Sequence, residues 1–251
     1  MTQPQGFNTI EQFRAHTGGV LLVDKPKGWT SFDVVKKVRT ALRVKKVGHA
    51  GTLDPMATGL LILCSSHLTK KIDAFQALGK VYEGSMRLGA VTASFDAETE
   101  TMSPMPLDDI DEAAIRLAAA RFTGNIEQLP PMYSAVKVDG QRLYKLARKG
   151  VEVERQPRPV TIERFDIHSA VLPDVAFEVH CSKGTYVRTL AHDLGQYLRC
   201  GAYLTELRRT FIGNFAVTEA WNIEQIVNEA TALGLIREKI QEPTGASLPQ
   251  S

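Results

Sequence analysis

One acid stands alone in the stretch GHAGTLDPMATGLLIL, which runs from Gly48 to Leu63. Asp54 lies among Gly48, Gly51 and Gly59, is followed by Pro55, and precedes an apolar run. Proline fixes its own backbone and pushes the residue before it toward extended geometry. Glycine permits tight turning and close approach of another backbone. The segment therefore reads as a loop that holds one carboxylate at the mouth of a buried strand. The functional reading is a carboxylate held rigidly in place for chemistry. The alternative on these residues is an Asx-type turn, in which the carboxylate bonds its own backbone.

Two further residues bear on that choice. Arg188, in TYVRTLAHDLG, falls in the first turn of a predicted helix, where the macrodipole disfavours a cation. Local rules are broken chiefly at functional sites, and such an arginine calls for an anionic partner, which a desolvated carboxylate would supply. An exposed, unpaired Arg188 is the plain alternative. Tyr82 falls on the apolar face of a strand, where a tyrosine either packs and finds one hydrogen bond or presents its ring to a base.

Other chemistries lack their signatures. There is no GxGxxG after a strand, no GxxxxGK[ST], no HExxH and no GxSxG. The six histidines stand at no ligand spacing, so no metal site is expected. An enzyme of this sequence would need no cofactor and would run a redox-neutral reaction on a lone carboxylate.

The elements that must position these residues follow from periodicity. GVLLV and LLILC read as buried strands, and TSFDVVKKVRTALR as a helix capped by Thr30 or Ser31. Its stripe is Val34, Val35, Val38 and Leu42, which leaves Lys36, Arg39 and Arg43 together on the opposite face. VYEGSMRLGA alternates, with Tyr82, Gly84, Met86 and Leu88 on one face. DEAAIRLAAARF is a helix ended by Gly124, and QRLYKLARKG a short basic helix ended by Gly150. PVTIERFDIHS slips its alternation between Ile162 and Phe165, which predicts a bulge. VAFEVHCS is a strand, TYVRTLAHDLGQYLRC a helix, YLTELRRTFIGNFAV one or two strands, and Ile223 to Leu233 a last helix. Strands and helices without strict βα alternation predict an α+β fold with a mixed, largely antiparallel sheet flanked by helices.

A net charge of +2 is too small to mark a nucleic-acid binder, but its distribution is uneven. Lys36 to Lys46 holds six basic residues and no acid; Lys137 to Arg158 holds seven against three acids. Such clusters suit phosphates, although a solvated helix face would look the same. Three widely spaced cysteines form neither a disulfide framework nor a metal pair, which predicts a reducing compartment. The polar N-terminus has no signal-peptide core, and no apolar run is long enough for a bilayer. A cytoplasmic protein without membrane contact is expected.

The motifs carry a resemblance. GHAGTLDPMATGLLIL resembles the catalytic motif of the TruB family of tRNA pseudouridine synthases. VLLVDKPKGWTS, KVYEGSMRLGAVTASFDAETE, CSKGTYVRTLAHDLG and YLTELRRTFIGNF resemble that family's N-terminal, tyrosine, arginine and leucine segments. PPMYSAVKVDGQRLYKLARKG resembles its RNA-gripping insertion. The likeness runs in order from Val20 to about Leu233. It implies the pseudouridine synthase fold and isomerisation of the uridine at position 55 in the tRNA T-loop, with no cofactor and no metal. It implies Asp54 as nucleophile, Arg188 as its partner, Tyr82 stacked on the flipped base and Leu207 packed against it. His49 would fill space vacated in the RNA, and Lys25 would act structurally or in catalysis. Lys36, Arg39, Arg43, Arg142, Lys145 and Arg148 are the candidates for RNA phosphates.

The expected organisation is an extension over 1–19, a catalytic unit over 20–235 with the gripping insertion at about 129–156, and a disordered polar tail over 236–251. The FNTIEQFRAH stretch reads as a short capping helix. Only one helix and the tail follow Phe215, so most of the family's C-terminal RNA-binding domain is expected to be missing. A monomer acting on the T-arm is expected. Two other readings stay open: a non-catalytic RNA-binding or RNA-folding protein on this scaffold, and a guide-RNA-dependent pseudouridine synthase.

Overall fold

The computed structural model describes residues 8–134, 137, 138, 140–147 and 150–236. The elements in chain order are α1 (Ile10–Arg14), β1 (Val20–Lys25), α2 (Ser31–Ala41), β2 (Val47–Ala50), β3 (Thr58–Ser65), α3 (Ile72–Gln76) and β4 (Lys80–Leu88). Next come β5 (Val91–Thr92), β6 (Thr101–Met102), α4 (Glu112–Arg121), β7 (Gly124–Gln128), β8 (Lys137–Val138), β9 (Gln141–Arg142) and α5 (Leu143–Ala147). The chain continues through β10 (Arg158–Val171), β11 (Asp174–Cys181), α6 (Val187–Tyr197), β12 (Ala202–Ile212), β13 (Phe215–Ala216) and α7 (Ile223–Ala232). The tail assigned to 236–251 lies outside the described residues beyond Ile236, as do Arg148 and Lys149 of the basic segment.

The main sheet runs β1-β3-β12-β4-β11-β10-β7, with β2 on β3 and β13 on β12. Every pair is antiparallel except β12 with β3, as the α+β reading expects. That parallel contact is short, Arg208 to Thr58 and Arg209 to Gly59. It brings the end of the Asp54 loop against the middle of β12.

Val20–Val23 of β1 and Leu60–Cys64 of β3 are continuous apolar runs because both faces are covered. Leu21, Val23, Leu61 and Leu63 pack with Val34 and Val38 of α2 and Ile226 of α7. Val20, Leu22, Leu60 and Ile62 face the other side, toward Ile72 and Phe75. The third core buries Tyr82, Met86, Phe177 and Val179 beneath α4 and α6, through Ile115, Leu190 and Leu194. The bulge expected in β10 occurs between Ile162 and Arg164, and a second follows at Ile167 to Ser169.

Three local expectations need correction. Arg43 does not lie on α2: Leu42 caps the helix and Arg43 follows in the left-handed region at φ 53°. Val44 N–H bonds Arg39 O and Arg43 N–H bonds Thr40 O, the two bonds of a Schellman stop. Arg142 does not belong to the basic helix: it pairs with Lys137 in the β8–β9 hairpin, and α5 begins at Leu143. His49 is not in the loop but on β2, opposite Leu63.

Candidate active site

The loop from Gly51 to Ala57 is bonded at nearly every step. Gly51, at φ 93°, presents its carbonyl to Arg209 Nη2 at 3.1 Å. Leu53 N–H bonds Ser31 Oγ at 2.9 Å, and that hydroxyl donates to Leu53 O at 3.3 Å. Pro55 O accepts from Gly28 N–H at 2.8 Å and from Lys25 Nζ at 3.3 Å. Met56 N–H bonds Glu98 Oε1 at 3.2 Å. Gly59 closes the loop at φ 102°; a Cβ there would lie 2.3 Å from Arg209 O. The opening glycine-and-proline pattern thus has a packing cause: the loop is clamped between the start of α2 and the backbone of β12.

Asp54 projects from this frame with its side chain about one-third exposed. Its carboxylate meets Arg188 rather than the loop backbone, so the Asx-turn alternative gives way. Arg188 Nη2 lies 3.3 Å from Oδ2 and 3.4 Å from Oδ1. The same guanidinium places Nη1 3.3 Å from Asp96 Oδ2 and donates from Nη2 to Tyr133 O at 2.6 Å. Arg188 is buried in the first turn of α6, as its sequence position predicts. The helix start is fixed from outside: Gln128 accepts from Tyr186 N–H at 2.7 Å and donates to Tyr186 O at 3.0 Å.

Asp96 was not legible as a site residue. It is fully buried and bonds Ser94 Oγ at 2.5 Å and Glu98 N–H at 3.0 Å. Phe95 before it sits at φ 64°, stacked 3.8 Å from the His192 ring. A non-glycine residue in the left-handed region leaves no trace in sequence.

The electrostatics are mixed. Burial pushes the Asp54 carboxyl above its usual range, and the Asp96 charge adds to this; Arg188 and Lys25 oppose it. Burial lowers Lys25 to about 8, against the pull of Asp54. Lys25 is fully buried with its ammonium spent on the carbonyls of Pro26, Trp29 and Pro55, a structural clamp under the loop. Burial raises Tyr82, and Arg209 pulls it back.

Tyr82 lies on β4 in the face that packs under α6, and its hydroxyl accepts from Arg209 Nη1 at 3.4 Å. Leu207 sits opposite Gly84 on β12. A Cβ on Gly84 would lie 2.8 Å from Phe177 and 3.3 Å from Leu207, so the glycine leaves both side chains room at the sheet surface. Beside them opens a cleft of about 620 Å³, lined in part by Met56, Thr58, Gly84, Phe177, Leu207 and Arg208. Asp54 is not in the cleft lining; the loop it stands on enters that lining two residues later, at Met56.

The remaining candidates lie apart from this cluster. His49 is half-buried; its Nδ1 has no hydrogen-bond partner among the described residues, and burial lowers its pKa. Lys36 and Arg39 are exposed on α2, and Arg43 is exposed beyond its end. The backbone of Arg142 and Lys145 is placed, but their side chains and all of Arg148 lie outside the described residues. Among the described residues no group of three or more His, Cys, Asp or Glu could hold a metal ion, and no helix is long and apolar enough to cross a membrane.

The largely antiparallel sheet under α6, with Asp54 held against Arg188 at its rim, is a pseudouridine synthase fold. Solved structures that share it include the following two. One is a Cbf5-Nop10-Gar1 complex, 31% identical at TM-score 0.68 over 91% of this chain and 60% of that one. The other is an H/ACA RNP bound to a substrate RNA containing 2'-deoxyuridine, 27% identical at TM-score 0.67, over 95% and 63%. The chain thus spans about three fifths of those two. The model of the TruB family pseudouridylate synthase N-terminal domain matches residues 39–187, and that of the tRNA pseudouridylate synthase B C-terminal domain matches 188–241. The chain belongs to the TruB family of pseudouridylate synthases. It is 50% identical to the tRNA pseudouridine synthase B of Opitutus terrae over 91% of this chain and 94% of that protein. It is 47% identical to the protein of that name from Chlorobaculum tepidum, over 88% and 95%. The C-terminal match begins inside α6 and takes in β12, so here that segment is part of the main sheet.

Proposed function

We propose that this chain converts uridine to pseudouridine in tRNA, at position 55 of the T-loop, acting as a monomer through residues 20–235. The observation that carries the reading is the Asp54–Arg188 pair on a clamped loop beside an open cleft. The reaction breaks the bond between ribose C1′ and uracil N1, turns the base over, and joins C1′ to C5; the proton leaving C5 is balanced by one gained at N1. Nothing is oxidised and no water is added. One nucleophilic carboxylate can hold the intermediate covalently, whereas two carboxylates flanking the bond would suit hydrolysis. Asp96 does not make such a pair, because it is fully buried behind Arg188.

Base flipping costs a few kcal/mol, and stacking on an aromatic ring such as Tyr82 returns about 1–3 kcal/mol. Leu207 and Phe177 supply apolar contact at the edge of the cleft. In this reading the exposed Lys36, Arg39 and Arg43 meet phosphates and the segment 129–156 grips the RNA. Its foot already touches the site through Tyr133 O on Arg188. Higher identity to the tRNA enzymes than to the Cbf5 complexes favours action without a guide RNA. The test is to incubate the purified protein with an unmodified tRNA transcript and map pseudouridine. Modification at position 55 alone is expected; none, or none without added guide RNA, overturns the reading.

A further inference from the structure

We propose that Arg209 is a positioning residue for this isomerisation, tying both ends of the Asp54 loop to the hydroxyl of Tyr82 and orienting that hydroxyl. The inference rests on the proposed function for its kinetic consequence, but the tether itself is a matter of geometry.

Arg209 is 1% exposed, the largest of the fully buried side chains. Removing a guanidinium from water is costly unless an anion joins it. Among the described residues no carboxylate pairs with Arg209; the neighbouring Arg208 takes Asp24, at 2.7 Å. Arg209 instead spends its donors on three neutral oxygens. Nε bonds Leu60 O at 2.7 Å and Nη2 bonds Gly51 O at 3.1 Å. Gly51 and Leu60 flank the loop that carries Asp54, so one planar group fixes both of its ends. The third donor, Nη1, reaches Tyr82 Oη at 3.4 Å, with the guanidinium carbon 5.9 Å from the ring centroid.

The third contact is what a simple clamp would not need. Arginine only donates, so Tyr82 Oη accepts from Arg209 and must turn its own proton elsewhere. The cation also favours the ionised hydroxyl, against burial, which disfavours it. Any proton that Tyr82 takes or gives during turnover is thereby coupled to Arg209. The same residue sets where Asp54 stands and what the Tyr82 hydroxyl can do.

The experiment is a double-mutant cycle on tRNA transcript with Arg209→Gln, Tyr82→Phe and both, under single-turnover and steady-state conditions. Arg209→Gln is expected to lower kcat by about 100-fold, the scale of a small misplacement of reacting groups, with KM changed less than about threefold. In the Tyr82→Phe background the same change should cost well under that, because residues acting as a unit are non-additive. Losses that simply multiply, or a rise in KM at unchanged kcat, would overturn the proposal. If Arg209→Gln does not fold, Arg209→Lys carries the same cycle. Should the wild-type protein or Tyr82→Phe make no pseudouridine, the Tyr82 titration decides. Tyrosinate absorbance, with Tyr82→Phe as the blank, should appear at higher pH in the Arg209 variant than in wild type. An unmoved titration overturns the tether whatever the activity.

Discussion

Arg188 and Asp96 meet at 3.3 Å in the interior, with Asp96 wholly buried, and this pair aims the other arm of the arginine at Asp54. The guanidinium fork is therefore divided: Nη1 serves Asp96, while Nη2 serves both oxygens of Asp54. Arg188→Lys keeps the charge but replaces the fork by a point charge on a shorter reach. Its single nitrogen cannot reproduce the spread of the two Nη atoms that reach Asp96, Asp54 and Tyr133 O together. A fall in kcat of about 100-fold is expected from the loosened geometry, read in single-turnover assays. Near-normal rates would show that the divided fork is unimportant.

Asp54→Asn or Asp54→Ala should abolish turnover while tRNA affinity stays within about tenfold, since affinity for RNA is dominated by contacts to phosphates, which a carboxylate does not make. Activity above a few per cent of wild type would remove Asp54 from the chemistry. The same substitution has a stability consequence of definite sign. The folded-state pKa of Asp54 is raised by burial, so its favourable contribution is full below the unfolded pKa and is lost as pH rises through the folded one. With the Asp54 side chain about one-third exposed, solvent screens the burden that its ionised form places on the fold, so at neutral pH Asp54→Asn should melt close to wild type or slightly higher. A clearly lower melting temperature would contradict that sign.

The pH dependence separates the neighbours. If ionised Asp54 is the nucleophile, the acid limb of kcat/KM lies above the ordinary carboxylate value of about 3.9. Asp96 raises Asp54 and Arg188 lowers it. Asp96→Asn should therefore move the limb down and Arg188→Gln should move it up. Carbon NMR of the carboxyl group gives the same comparison where turnover is too slow. Shifts in one common direction would mean that another group sets the limb.

Much of this was legible because burial leaves periodic marks. β1 and β3 read as continuous apolar runs since both faces are covered, and the β10 bulge showed as a slipped alternation. Arg188 was legible by breaking a rule at a helix N-terminus. What stayed hidden depended on contacts far apart in the chain. Asp96 is one acid among several in SFDAETE, and its burial follows from a left-handed Phe95 docked on His192. Arg208 and Arg209 are adjacent on a strand and so face opposite sides, but which one meets Asp24 and which one is buried is decided by the pairing of β12 with β3 and β4. Helical periodicity misplaces Arg142 because it does not show that the turn at Gly140 folds Gln141–Arg142 back onto β8.

Tyr82→Phe retains a ring and Tyr82→Leu does not, so the pair divides stacking from hydroxyl chemistry. Phe should keep RNA binding and accumulate a stalled adduct more readily than Leu, because aromatic stacking on a base is worth about 1–3 kcal/mol. Denaturing gel shifts of enzyme with tRNA read the adduct. Two variants alike at every step would reduce Tyr82 to core packing under α6.

The basic face of α2 gives the last prediction. Lys36 and Arg39 stand exposed on one side of the helix, and Arg43 extends the row past its Schellman stop at φ 53°. Ser31, the first residue of the same helix, bonds Leu53 beside Asp54, so a phosphate held along α2 is held in fixed relation to the loop. Phosphate binding of this kind carries no sequence information. Lys36→Ala, Arg39→Ala and Arg43→Ala should each weaken binding to every RNA alike. Each should also flatten the plot of log affinity against log salt by about 0.7–0.9 for every phosphate that is no longer neutralised. On the proposed reading a T-arm hairpin contains the target and the grip comes from this chain's own basic face, so the hairpin should be modified nearly as fast as whole tRNA. The measurement pairs hairpin and tRNA turnover with salt titrations of wild type and the three variants. A hairpin slower by orders of magnitude would place the dominant contacts outside the T-arm, and an unchanged salt slope would mean that the α2 face is merely solvated.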